Sequence, residues 1–320
     1  MESKVKGEKS MKAILGQHHV SAMTGDALKN LRFYTEVLGM RLVKKTVNQD
    51  DPSMYHLFYA DESGTPGTDL TFFELPFLGQ TYKGSSSISR TALRVPDGAL
   101  SYWLERFSEF GVLHDPLEDV LDRPTLYFED EEGQRLCLVE GGSGTPRKNG
   151  PVPADVAVFG LGFSEWTVRR IEKTERVLTD VLGYRFASEF ERNGQSVRVF
   201  ETGDGGVATE IHLVDRPDLP SERPGRGSVH HVAIRVEDDD EMARWVERID
   251  SFGISHSGLI DRYYFKSIYF REPSGILVEL ATDGPGFATD EPVETLGERL
   301  ALPPFLEPRR AEIEAKLKPL

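Results

Sequence analysis

Eight histidines occur in the sequence, and four of them make two copies of His-His-Val, at residues 18–20 and 230–232. Each copy heads an apolar, β-branched run, H-H-V-S-A-M and H-H-V-A-I-R-V. Near pH 7 an imidazole is both a metal ligand and a proton carrier. Two imidazoles with one carboxylate form the donor set that leaves open positions on a non-haem Fe(II) ion. Neighbours in a regular strand face opposite sides, so His18 and His19 are not expected to ligate together, nor His230 and His231. One member of each pair is a candidate ligand; the other is a candidate neighbour or an ordinary core histidine.

The elements that must position these residues come in repeats. R-F-Y-T-E-V-L-G-M-R at 32–41 returns as R-V-L-T-D-V-L-G-Y-R at 176–185. Each copy ends an amphipathic helix at a glycine, Gly39 or Gly183, and leads into a strand-like run. H-H-V-A-I-R-V-E-D with the helical E-M-A-R-W-V-E-R-I opens a further unit, and S-I-S-R-T-A-L-R-V-P-D with A-L-S-Y-W-L-E-R-F a weaker one. The units start near residues 14, 86, 157 and 227. Each reads strand, helix, then several strands, with turns such as E-D-E-E-G and E-P-S-G before the last. The fold class is therefore α+β, with four βαβββ modules in two pairs that make two domains. Modules one and two occupy 12–145 and modules three and four 146–290. The Gly/Pro-rich G-G-S-G-T-P-R-K-N-G-P-V-P lies between the pairs, and 291–320 forms a C-terminal extension. Residues 307–318 can form a short helix for packing or a dimer contact.

Four such modules with L-G after the first helix resemble the vicinal oxygen chelate superfamily, which includes glyoxalase I, fosfomycin-resistance proteins and extradiol dioxygenases. That resemblance implies cups in which metal ligands come from the first and last strand of each module. In the first strands the candidate stands seven residues before the acidic residue that opens the helix: His19, Arg90 and His231, with Phe163 from the repeat offset. In the last strands it stands four residues after the turn glycine: Thr71, Cys137, Glu210 and Glu279. Pairing modules one and four collects His19, His231 and Glu279, with Thr71 as a vacancy. Pairing neighbours collects Phe163, Glu210, His231 and Glu279, and spacing alone leaves both open.

A closer resemblance is to the hydroquinone-cleaving ring dioxygenases. It rests on L-V-K-K-T-V-N-Q-D-D-P-S-M-Y-H-L-F-Y-A-D-E-S-G-T-P-G-T at 42–68, G-F-S-E-W-T at 162–167, both H-H-V segments, R-Y-Y-F-K-S-I-Y-F at 262–270 and the tail L-G-E-R-L-A-L-P-P-F. The resemblance implies that modules one and four share a cup and that His19, His231 and Glu279 bind Fe(II), with Mn(II) as the alternative metal. It also implies supporting roles for His18, His230, Arg262 and Tyr269, and a small aromatic diol and O2 as substrates. His230 is the candidate acid–base group, expected to titrate near neutrality. Arg262 or Tyr269 would bind the far hydroxyl or the negative charge that develops on oxygen. Ser21, on the same strand face as His19, stands where the family tends to carry threonine.

Composition narrows the partners. A formal net charge of −15 opposes nucleic acid and anionic membranes. The one cysteine, Cys137, excludes an intrachain disulfide and fits a reducing cytoplasm. No apolar run approaches the ~18 residues of a membrane span. Residues 1–11 are charged, lack the apolar region of a signal peptide, and read as a flexible tail. Homo-oligomerisation stays open. The rival readings are a glyoxalase-like isomerase or lyase, which calls for a fourth protein ligand, and a metal-free binding protein, which calls for none.

Overall fold

The computed structural model describes residues 11–320, so the expected tail lies outside the described residues except for Met11. Module one supplies β1 (Gln17–Thr24), β2 (Arg41–Val47), β3 (Tyr55–Ala60) and β4 (Asp69–Glu74). Module two supplies β5 (Ser87–Val95), β6 (Glu118–Asp119), β7 (Pro124–Glu129) and β8 (Arg135–Glu140). Module three supplies β9 (Gly160–Val168), β10 (Arg185–Arg192), β11 (Gln195–Glu201) and β12 (Ile211–Asp215). Module four supplies β13 (Val229–Val236), β14 (Ile260–Asp261), β15 (Lys266–Arg271) and β16 (Leu277–Thr282).

These strands form two eight-stranded sheets. One has the order β14-β15-β16-β13-β1-β4-β3-β2, and the other β10-β11-β12-β9-β5-β8-β7-β6. Residues 17–74 and 229–282 thus share the first sheet, joined where β1 and β13 run antiparallel.

One helix follows the first strand of each module: α1 (Ala27–Arg32), α2 (Leu100–Phe110), α3 (Ile171–Arg176) and α4 (Asp239–Ser251). Asp26 and Asp238 cap α1 and α4 by accepting from Lys29 N and Glu241 N, which explains the acidic residue at that place in the repeat. Three acidic residues in the first turn of α4 suit the helix dipole. After α1 and α3 the last turn widens: Leu38 N donates to Phe33 O and Leu182 N to Val177 O, five residues back. Gly39 then breaks out at φ +71°, where an added Cβ would stand 2.5 Å from Val152 Cγ2.

The main core joins both sheets and buries Trp103 of α2, Trp245 of α4 and Trp166 of β9. Smaller apolar clusters sit apart from it: Val43, Phe58 and Ala233 of the first sheet with Tyr264 and Phe265 just before β15, and Ala92, Tyr127, Cys137, Val139 and Phe163 in the second. The connection after β8 is pinned by Arg147, which donates to Met40 O. The C-terminal extension includes α5 (Arg310–Glu314), whose Ile313 packs with Val47, Leu302 and Leu306. Ala301 N donates to Lys45 O, so the extension covers the edge strand β2. Among the described residues, no helix is long and apolar enough to cross a membrane.

Candidate active site

The paired histidines are explained by two β-bulges. Along the β1–β13 seam Gln17 opposes Ile234 and His19 opposes Ala233, leaving His18 extra in β1. Ser21 opposes His231 and Ala22 opposes Val229, leaving His230 extra in β13. A bulge turns the backbone and redirects its side chain, so the alternation expected of a regular strand is broken at both pairs. His18 Nδ1 comes to 2.9 Å from His19 Nδ1, and His230 Nδ1 to 2.8 Å from His231 Nδ1.

The opposite ring nitrogens converge. His19 Nε2 and His231 Nε2 are 3.3 Å apart, and Glu279 Oε2 lies 3.3 Å and 2.9 Å from them. Glu279 comes from β16, where it opposes Tyr269 of β15. Its Oε1 accepts from Ser267 Oγ, while Oε2 is buried without a properly directed hydrogen bond. Burial raises the Glu279 pKa, but His19 and His231 outweigh it and hold the carboxyl well below its usual range. Three donors about 2.1 Å from one ion at right angles would stand ~3.0 Å apart. The spacing, the free Oε2 and the neutral-imidazole and carboxylate chemistry therefore fit a divalent metal ion.

The bulges also set tautomers. An imidazole that offers its Nε2 lone pair keeps its proton on Nδ1. His19 and His231 then donate to His18 Nδ1 and His230 Nδ1, so those partners carry their own protons on Nε2. The two partners differ in surroundings. His18 is buried, packs on Phe265 and lies outside the cavity lining, so it orients His19 rather than facing a ligand. His230 lines the cavity and is reached by solvent. Burial among its neighbours, then the adjacent His231, pushes its pKa down to about 4. In its neutral form His230 offers an N–H to the cavity.

A cavity of about 400 Å³ opens over the triad. Phe58, Phe73 and Phe265 give it aromatic walls, and Arg262, Tyr269 and the segment from Thr46 to Asp50 also line it. Arg262 Nη1 pairs with Asp50 at 3.2 Å, and its Cζ lies 5.5 Å from the Tyr269 ring centroid. Gln49 Nε2 donates to Arg262 O at 2.8 Å, tying module one to module four.

Sequence reasoning missed His56, on β3. Its Nε2 lies 2.9 Å from Thr71 Oγ1, which lies 2.8 Å from Ser21 Oγ. Thr71 therefore occupies the fourth strand position with a hydroxyl already committed to two partners. The signal was the period-two alternation of His56 and Phe58, which register with Phe73 and Thr71.

The fourth position of module three also needs correction. A 3-10 turn at Val207–Thr209 delays β12, so His212 rather than Glu210 opposes Glu165, as Thr71 opposes Ser21. Glu210 is held by Arg123 at 2.9 Å and His212 at 2.8 Å. Cys137 is buried, its thiol pushed up to about 12 by burial.

Residues 16–138 and 161–280 match the Glyoxalase/Bleomycin resistance protein/Dioxygenase superfamily. The chain belongs to that superfamily. It is 55% identical over 311 residues to a Bacillus subtilis (strain 168) protein named "Putative ring-cleaving dioxygenase MhqA", covering 95% of this chain and 98% of that one. It is 32% identical over 311 residues to the chlorohydroquinone/hydroquinone 1,2-dioxygenase of Sphingobium indicum, covering 93% and 94%. A crystal structure titled as a "putative dioxygenase" of B. subtilis superposes with a TM-score of 0.90 at 37% identity, covering 97% of this chain and 98% of that one. Glyoxalase I from Zea mays superposes at 0.63 with 16% identity, covering 84% and 92%, a likeness of fold alone.

Proposed function

We propose that the protein is a ring-cleaving dioxygenase that opens a substituted hydroquinone, or a catechol, with O2, using Fe(II) held by His19, His231 and Glu279. The observation that carries the reading is the convergence of three donor atoms, one of them an unbonded buried carboxylate oxygen, on the floor of an aromatic-walled cavity. The family membership and the names of relatives sharing nearly the whole chain support the same reaction. Bound Fe(II) would supply the one-electron chemistry that lets triplet oxygen react with a singlet aromatic diol.

The chain's own residues do the remaining work. The cavity's phenyl rings hold the substrate ring, and Arg262 and Tyr269 stand to bind its far hydroxyl or the charge that develops on oxygen. His230 presents its Nε2 proton as a hydrogen bond to a substrate oxygen. Thr71 keeps the fourth side of the triad free of a protein ligand, which disfavours the glyoxalase-like reading.

The test is oxygen consumption by protein reconstituted anaerobically with Fe(II) and given 2-methylhydroquinone, with His231→Ala as the control. Uptake matched to substrate loss, a ring-opened product and an inactive variant are expected. No uptake with hydroquinones or catechols, despite stoichiometric bound iron, would overturn the reading.

A further inference from the structure

The second sheet repeats the architecture of the first with its charge reversed. Arg90 opposes Glu165 as His231 opposes Ser21, and Cys137 opposes Tyr127 as Glu279 opposes Tyr269. The bulges are repeated as well, between Ile88 and Arg90 and between Thr91 and Leu93, although no histidine pair is there. A cavity of about 220 Å³ lies in the equivalent place. Arg90, Arg135, Glu165, Thr167 and Arg192 line it, at the positions that His231, Leu277, Ser21, Met23 and Asn48 hold around the first cavity.

Five cations line this cavity, Lys83 and Arg216 with the three arginines, against the single carboxylate of Glu165. Lys83 is paired with Glu129 and Arg216 with Asp218. Glu165 is spent on Arg192 at 2.5 Å and on Ser89 at 3.1 Å. The carboxylate nearest Arg135 is Glu222, 3.8 Å away, and burial raises its pKa to about 7, so it is only partly charged at neutral pH. Arg90 has no carboxylate partner among the described residues. Its Nη1 donates to Leu136 O at 3.0 Å, and its Nε is buried without an acceptor. The guanidinium carbons of Arg90 and Arg192 lie 4.5 Å and 4.7 Å from the centroid of the same Tyr127 ring. Glu165 is thus shared among three arginines, which leaves an excess of positive charge around the cavity among the described residues.

We infer that this second cavity binds a small oxyanion, clasped by Arg90 together with Arg192 and Arg135. Guanidinium groups hold carboxylates and phosphates by the same paired, charge-assisted hydrogen bonds. At ~30 Å³ per water the space holds about seven water molecules, which admits phosphate or a four-carbon dicarboxylate. The site is separate from the proposed active cavity and does not depend on the dioxygenase reading.

Calorimetric titration of the full chain at constant ionic strength tests it, with inorganic phosphate in one arm and succinate in the other. One equivalent of at least one anion is expected to bind, and the responding arm identifies the source. Arg90→Met should weaken binding at least about tenfold. Glu165→Gln, which removes the competing carboxylate, should tighten it, and this opposite sign separates the site from misfolding. Absence of binding to the wild-type chain at millimolar anion, or binding that neither variant changes, would overturn the inference.

Discussion

Ser267→Ala should weaken metal binding at the triad without touching the cavity itself. Ser267 is fully buried on β15 and donates to Glu279 Oε1, which leaves Oε2 facing the two histidine nitrogens. Removing the hydroxyl strands Oε1 where no water reaches it and frees the carboxylate to rotate. A net hydrogen bond to a charged group contributes ~1.5–3 kcal/mol. At 1.4 kcal/mol per decade, metal affinity should fall roughly 10- to 150-fold. Competition with a chromophoric chelator under anaerobic conditions measures this for Fe(II), and for Mn(II) without risk of oxidation. Ser267 does not line the cavity, so turnover should return towards the wild-type rate once metal is saturating. Affinity within about twofold of wild type would refute the idea that this hydroxyl orients the ligand. So would a turnover defect that saturating metal fails to repair.

Two further outcomes follow from the same site. Burial, with His19 beside it, pushes the His18 imidazole down to about 3, against about 6.5 in an unfolded chain. Stability present above pH 6.5 is therefore lost as pH falls, by about 2 kcal/mol at pH 5. Between pH 7 and pH 5, metal-free His18→Gln should lose about 2 kcal/mol less than wild type in urea unfolding, and equal losses would contradict the burial argument. Thr71→Glu offers a fourth ligand, so bound metal should resist chelation longer while oxygen uptake falls at least about tenfold. A variant with unchanged uptake would show that this side of the triad need not stay open.

Much of this organisation was legible in the sequence because it repeats. The L-G helix ends, the capping aspartates and the turn glycines recur at matching places, and they lead to His19, His231 and Glu279. What escaped was what does not repeat or carries no side-chain signature. A bulge is one extra residue in a ladder, visible only once the partner strand is known, so the contact between adjacent histidines could not be read. The turn at Val207–Thr209 moved the register by two residues and put His212 where Glu210 was expected. His56 was a lone histidine in a strand, whose meaning depends on Thr71 and Ser21 arriving from two other strands.

The seam between β1 and β13 also bears on how the protein is made. During synthesis, the strands of the second sheet emerge by Asp215, before β13 exists. That sheet can assemble while residues 17–74 still wait for partners more than 150 positions away, a closure that is slow for reasons of chain entropy. The proposed metal pocket thus forms only after β13 and β16 have emerged, and His19 has neither of its companions until then. A metal ion that binds only the closed seam would pull this late step to completion, so metal supply would govern the yield of folded protein as well as its activity.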